Sequence, residues 1–257
     1  MMPFLKVDNA CVSFPLHLDD HGRSFRVSLL KMLGLHRKSP ARNYKRALID
    51  IKFTARKGDR IGLIGRNGSG KTTLLRALNG IYEPESGRII RSGQQVSLIN
   101  ITLGMDMNAS GINNIFLRGL RMQMSREQMM LKLGDIVDFT ELGEAINQPV
   151  RTYSSGMVAR LALGIATAIP AEIVLMDEWI SAGDSRFIER AQTRIEAYLT
   201  DEKILVLATH ADSLIREWCN KVVVLEDGHM VSFTGVDEGL AIKEQVYAGT
   251  YPLPWKQ

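Results

Sequence analysis

Nine consecutive residues, Gly65-Arg66-Asn67-Gly68-Ser69-Gly70-Lys71-Thr72-Thr73, follow the apolar run Ile61-Gly62-Leu63-Ile64 and fit the spacing Gly-x-x-x-x-Gly-Lys-Ser/Thr. Small residues let several backbone N–H groups curl around a phosphate, and a helix beginning near Lys71 turns the positive end of its dipole toward that phosphate. In such a loop Gly65 and Gly70 take backbone conformations that a Cβ penalises, Lys71 reaches the terminal phosphates, and Thr72 places its hydroxyl on Mg²⁺. The apolar strand before it and the helical pattern after it (Leu74, Leu75, Ala77, Leu78) are the context this chemistry needs. The loop alone points to an ATP- or GTP-binding protein and does not choose among kinases, GTPases, helicases and motors.

Two further groups of residues narrow the choice. The run Ile173-Val174-Leu175-Met176-Asp177-Glu178 reads as a buried strand carrying two carboxylates at its C-terminal end, the edge where open α/β sheets bind ligands. Asp177 is suited to hold Mg²⁺ through water, and Glu178 to orient or deprotonate an attacking water; the plain alternative is an acidic pair that ends a strand. Tyr153-Ser154-Ser155-Gly156-Met157 stands before an apolar helical run, where Ser-Ser-Gly is by itself an ordinary helix N-cap. A helix N-terminus carrying a serine hydroxyl is also an anion site, so the two readings are compatible.

Taken in this order, the motifs resemble those of the nucleotide-binding subunit of ATP-binding cassette (ABC) transporters. The resemblance implies that Gly65, Arg66, Asn67, Gly68, Ser69, Gly70, Lys71, Thr72 and Thr73 bind ATP, and that Ser154, Ser155 and Gly156 bind the ATP held by a second copy. Ser154 and Gly156 match the family's signature, while Tyr153, Ser155 and Met157 depart from it. Ser181-Ala182-Gly183-Asp184 matches the D-loop at the dimer interface, and His210, after the strand pattern at 204–209, matches the histidine that contacts the γ-phosphate. The glutamine that senses Mg²⁺ and the membrane partner has no convincing counterpart, because Gln94 and Gln95 precede the strand pattern 96–99; Asn100 stands nearer the expected place. The adenine-stacking aromatic falls on Phe14, with Tyr44 as a rival.

The segment 17–46 is an insertion carrying eight Lys or Arg, and Phe25, Leu29, Leu30, Met32, Leu33 and Leu35 give it the pattern of a short basic amphipathic helix. A solvated surface helix, a lipid contact and a regulatory element all remain open. Together with Asp177-Glu178-Trp179 and Ala182-Gly183-Asp184, the insertion resembles the ATPases of O-antigen, capsule and teichoic-acid exporters. That narrower resemblance implies a homodimer, with ATP and Mg²⁺ between the copies, that drives two copies of a separate permease from the cytoplasmic face of the cytoplasmic membrane. An ABC ATPase for another substrate and a soluble ABC-type ATPase are the alternatives; a kinase or GTPase reading lacks a guanine-specificity loop.

The elements that must position these residues read as an α/β fold: a P-loop NTPase (RecA-like) core with a small antiparallel β subdomain and an inserted helical subdomain. One domain is expected over 1–257, with the β subdomain and core at about 1–101 and 166–235, helices at about 102–165, and a C-terminal helix and tail at 236–257. Ser125-Arg126-Glu127-Gln128 resembles a capping box, and Asp227-Gly228 a two-residue hairpin. Methionines at 105, 107, 122, 124, 129 and 130 read as core filling or as an adaptable partner surface. A 257-residue chain that is 45% hydrophobic and 23% charged buries an ordinary core. A net charge of +4 argues against nucleic acid, no apolar stretch is long enough to span a membrane, and Cys11 and Cys219 are too few for a disulfide framework.

Overall fold

A computed structural model describes residues 2–15, 44–99, 102–177 and 185–256. The chain begins with β1 (Phe4–Pro15), β2 (Tyr44–Arg56) and β3 (Arg60–Ile64), and then the helix α1 (Lys71–Leu78). Strands β4 (Ser86–Ser92) and β5 (Gln95–Ser97) lead to the helices α2 (Gly111–Arg121), α3 (Arg126–Thr140) and α4 (Ser155–Ala168). The second half alternates: β6 (Ile173–Asp177), α5 (Ser185–Tyr198), β7 (Ile204–Ala208), α6 (Asp212–Trp218), β8 (Lys221–Glu226), β9 (His229–Gly235) and α7 (Val236–Ala248).

All nine strands form one sheet in the order β4-β1-β2-β9-β8-β3-β7-β6-β5. Strands β8, β3, β7, β6 and β5 pair in parallel, whereas β4, β1 and β2 pair antiparallel. The expected small antiparallel unit is therefore continuous with the core, joined where Ile49 on β2 meets His229 on β9. Tyr44, Lys45 and Arg46, read from sequence as the end of the basic helical insertion, belong instead to β2 opposite Pro15, Phe14 and Ser13. Gln95 likewise opens β5 rather than preceding a strand. The rest of the insertion, 17–43, lies outside the described residues.

Alternation along the parallel strands sorts their side chains into two cores, as period two requires. Leu63, Leu175, Val206 and Val223 belong to a core with α1 and the antiparallel strands, while Ile64, Met176, Leu207 and Val224 belong to a core with helices α2 to α7. α1 thus sits on one face of the sheet, with the chain entering it directly from the end of β3.

Local signals account for the helical region. Ser125 accepts from Gln128 N–H at 3.2 Å while the Gln128 amide oxygen accepts from Ser125 N–H at 2.8 Å, which is the expected capping box at the start of α3. Arg194 on α5 ties three helices together: it donates to both carboxylate oxygens of Asp135 on α3 (3.1 and 2.6 Å) and to the Thr167 hydroxyl on α4 (2.6 Å). The methionines divide, with Met124 and Met129 buried, Met105 and Met122 packed on the core, and Met107 and Met130 exposed. Of the two thiols, Cys219 is buried and held up to about 12 by that burial, whereas Cys11 is only half-buried.

Candidate functional site

The chain leaves β3 at Ile64 and turns through three glycines with φ of +151° (Gly65), +81° (Gly68) and +109° (Gly70). Steric limits enforce two of these choices as well as the dihedrals. A Cβ on Gly65 would stand 2.2 Å from the Leu225 carbonyl oxygen, and one on Gly70 would stand 2.9 Å from that of Ala47. Lys71 opens α1 and folds back over the loop, its ammonium donating to the Gly65 and Arg66 carbonyls at 2.8 and 3.1 Å. Ser69 is 2% exposed, and its hydroxyl oxygen finds no hydrogen-bond partner among the described residues. A buried hydroxyl left without such a partner, in a glycine-rich loop at a helix start, fits a ligand that brings its own acceptor oxygens.

Parallel pairing brings the other residues to the same edge. Leu63 and Asp177 both stand opposite Ala208, so the loop after β3, the end of β6 and the end of β7 emerge together. The Thr209 hydroxyl accepts from the Ala211 N–H at 3.1 Å, which turns the chain outward and leaves His210 exposed at the rim. The result is a cleft of about 840 Å³ whose walls include Phe14, Asn67, Gly68, Gly70, Lys71, Thr72, Thr73, Asp177 and His210.

Phe14 is held edge-on against Tyr82, with ring centroids 5.0 Å apart, and faces this cleft. Tyr44 is 54% exposed and not among the lining residues, so the cleft favours Phe14 over its rival. Ser154, Ser155 and Gly156 lie outside the cleft at the start of α4, where the Ser154 hydroxyl caps the helix by accepting from Met157 N–H at 3.3 Å. Glu178, the 181–184 segment with Asp184, and Asn100 lie outside the described residues.

Sequence reasoning missed seven residues of the wall, Ala47, Ile99 and Ala208 among them, and four of the seven bear on its chemistry. Lys45 and Arg46 enter it from β2, brought there by pairing with Phe14 and Ser13. Asp227 and Gly228, legible only as a hairpin turn, pack against the phosphate loop itself. The Gly228 N–H donates to the Ser69 carbonyl at 3.0 Å, and the Gly228 carbonyl accepts from Ile49 N–H at 2.8 Å. With φ of +49° and +80°, the pair forms the left-handed turn that suits a two-residue hairpin. Lys45, Arg46 and Lys71 set against Asp177 and Asp227 leave the wall with an excess of positive charge, which suits a polyanion. The Thr72 hydroxyl and the Asp177 carboxylate are hard oxygen donors of the kind a Mg²⁺ ion accepts alongside water and phosphate.

Known proteins resemble this chain in sequence and in fold. The chain is 39% identical over 230 residues to the O-antigen export system ATP-binding protein RfbE of Yersinia enterocolitica, covering 88% of this chain and 96% of that protein. It is 36% identical over 207 residues to the O-antigen export ATP-binding protein RfbB of Myxococcus xanthus and 35% identical over 211 to the teichoic acids export ATP-binding protein TagH of Lactococcus lactis. Those matches cover 80% and 82% of this chain but only 47% and 45% of the two relatives. The fold is that of an ABC transporter ATP-binding subunit (TM-score 0.71, 17% identity, 97% of this chain and 95% of that one). It is also that of a dimeric ATP-binding cassette in a post-hydrolysis state with ADP and phosphate (TM-score 0.67, 18% identity, 90% and 98%). The family model described as ABC transporter matches residues 48–181, from β2 through the phosphate loop to just beyond β6, and the chain belongs to that family.

Proposed function

We propose that this chain is the ATP-hydrolysing motor of an ABC transporter that exports a lipid-linked polysaccharide, of the O-antigen kind, through a separate permease. The observation that carries the ATPase chemistry is the meeting of the phosphate loop, Asp177, His210 and Phe14 in the lining of one cleft. The choice of cargo rests on the likeness to RfbE, an O-antigen export ATP-binding protein that this chain matches over nearly its whole length.

In this reading Phe14 stacks on the adenine, and the amides of residues 65–73 with Lys71 hold the β- and γ-phosphates. Thr72 and Asp177, with Asn100 as a further candidate, would hold Mg²⁺, which offsets phosphate charge when bound. Glu178 positions the attacking water and His210 steadies the γ-phosphate. Ser154, Ser155 and Gly156, exposed or nearly so at the head of α4, bind the nucleotide of a second copy, with Asp184 at the interface. ATP binding closes the homodimer and hydrolysis reopens it, so each cycle moves the two permease copies. The chain then works at the cytoplasmic face of the cytoplasmic membrane, and none of its described helices is long and apolar enough to cross it.

A second cleft of about 560 Å³ supports coupling to a partner. It lies between α1 and α2, lined by Ile81, Leu103, Arg118 and Met122, and it shares Ile99 and Asp177 with the nucleotide cleft. Burial holds the Arg118 guanidinium below its ordinary value, with Arg121 adding to the effect.

The direct test is ATP turnover and ATP binding by two variants. Glu178→Gln should keep ATP and accumulate as a dimer while turnover falls by about 10²-fold or more, whereas Lys71→Ala should lose affinity for ATP. Wild-type turnover by Glu178→Gln removes the assigned general base.

A further inference from the structure

The wall of the nucleotide cleft contains a carboxylate, Asp227, where a polyanion is to bind. An ammonium from the C-terminal tail faces it. Lys256 Nζ lies 2.7 Å from Asp227 Oδ2 and 3.1 Å from Glu226 Oε1, spanning two adjacent carboxylates at the end of β8. Glu226 is 4% exposed, and a carboxylate so buried calls for a counter-ion, so the lysine is held on its buried side as well as at the rim.

The tail is positioned for this contact by its own packing. The Trp255 ring stacks on His229, the first residue of β9, with centroids 4.1 Å apart and planes 14° from parallel. Upstream, Arg66 of the phosphate loop donates to the Tyr247 carbonyl at 2.6 Å, and its guanidinium lies 4.9 Å from the centre of the Tyr247 ring. The last turn of α7 and the tail beyond it therefore touch the phosphate loop at Arg66 and its supporting turn at residues 226–229. That turn in turn holds Ser69 through the Gly228 amide.

We infer that Lys256 and Trp255 are positioning residues for nucleotide binding: the docked tail neutralises Asp227 and so sets the affinity of the cleft for ATP. The inference rests on the cleft being the ATP site. Without the ammonium, Asp227 adds a like charge to the cleft that receives the phosphates, and its 60% exposure keeps the effect moderate.

Equilibrium binding of ATP in EDTA, measured on the full chain at low salt, tests it. Lys256→Ala should weaken ATP about three- to fivefold, with the difference shrinking as salt is raised toward 1 M. Asp227→Asn placed on Lys256→Ala should restore the affinity, because asparagine tolerates the left-handed backbone at this position and removes the charge. Trp255→Ala should follow Lys256→Ala in direction. Equal affinities for wild type and Lys256→Ala overturn the inference, and so does a loss that Asp227→Asn fails to repair. Lys71→Ala keeps the two levels apart: if it abolishes binding while Lys256→Ala changes nothing, the ATP site stands and only the role of the tail falls. Failure of the wild-type chain to bind ATP would remove both.

Discussion

At the scale of single residues, the site is built from backbone that side chains would spoil. Gly228 shows this most clearly, because it bears on the phosphate loop without belonging to it. Its φ of +80° is unfavourable for any residue with a Cβ, and that Cβ would stand 2.8 Å from the Ala47 carbonyl oxygen. Gly228→Ala should therefore cost about 1–3 kcal/mol in denaturant unfolding and weaken ATP binding, since the turn that supports Ser69 must shift. A variant with unchanged stability and affinity would show that the turn yields freely. The phosphate loop was legible in the sequence because its chemistry is local, nine residues with one spacing. The roles of Gly228, Asp227 and Lys45 were not. They reach the cleft by strand pairing between segments far apart along the chain, and nothing in Asp227-Gly228 beyond a turn signal points to it.

At the scale of elements, strand edges and caps were readable while connections between elements were not. The serine and glutamine of the α3 capping box declare themselves at a spacing of three residues, and the left-handed hairpin turn does so through its Asp-Gly pair. The continuity of the antiparallel strands with the core was hidden, since it depends on Ile49 meeting His229. Equally hidden was the clamp made by Arg194, which bridges α3, α4 and α5. The hydrogen bonds from Arg194 hold the Asp135 carboxyl below the usual carboxylate range, against a smaller opposing effect of burial. A carboxylate depressed on folding stabilises above its unfolded value, near 3.9, and loses that contribution as pH falls through the lower folded value. Asp135 is 58% exposed, so solvent discounts the pair to about 1 kcal/mol or less. Asp135→Asn should accordingly lower stability slightly at pH 7 and flatten the loss of stability below about pH 4. An unfolding series across pH 2–7 in which variant and wild type run parallel would leave the pair without an energetic role.

At the scale of the whole molecule, two clefts meet at Ile99 and Asp177. Asp177 ends β6 in the nucleotide cleft and also lines the second cleft beside α2, so a ligand in either cleft meets the same strand end. Two leucines of the helical region are exposed to solvent: Leu103, which lines the second cleft, is 63% exposed, and Leu120 on α2 is 69% exposed. We propose that these leucines belong to the face that meets the permease. Tagged chain extracted gently from native membranes should then bring down a multi-span protein in near 1:1 ratio. Leu120→Glu should reduce that recovery about tenfold, as expected for losing one well-placed apolar anchor. The same substitution should alter unfolding stability by no more than about 0.5 kcal/mol, because an exposed leucine contributes little to the fold. Recovery of the permease at full yield with Leu120→Glu would move the docking surface elsewhere, and recovery of ribosomes or DNA in place of a membrane protein would end the transport reading while leaving the ATP chemistry of the first cleft intact.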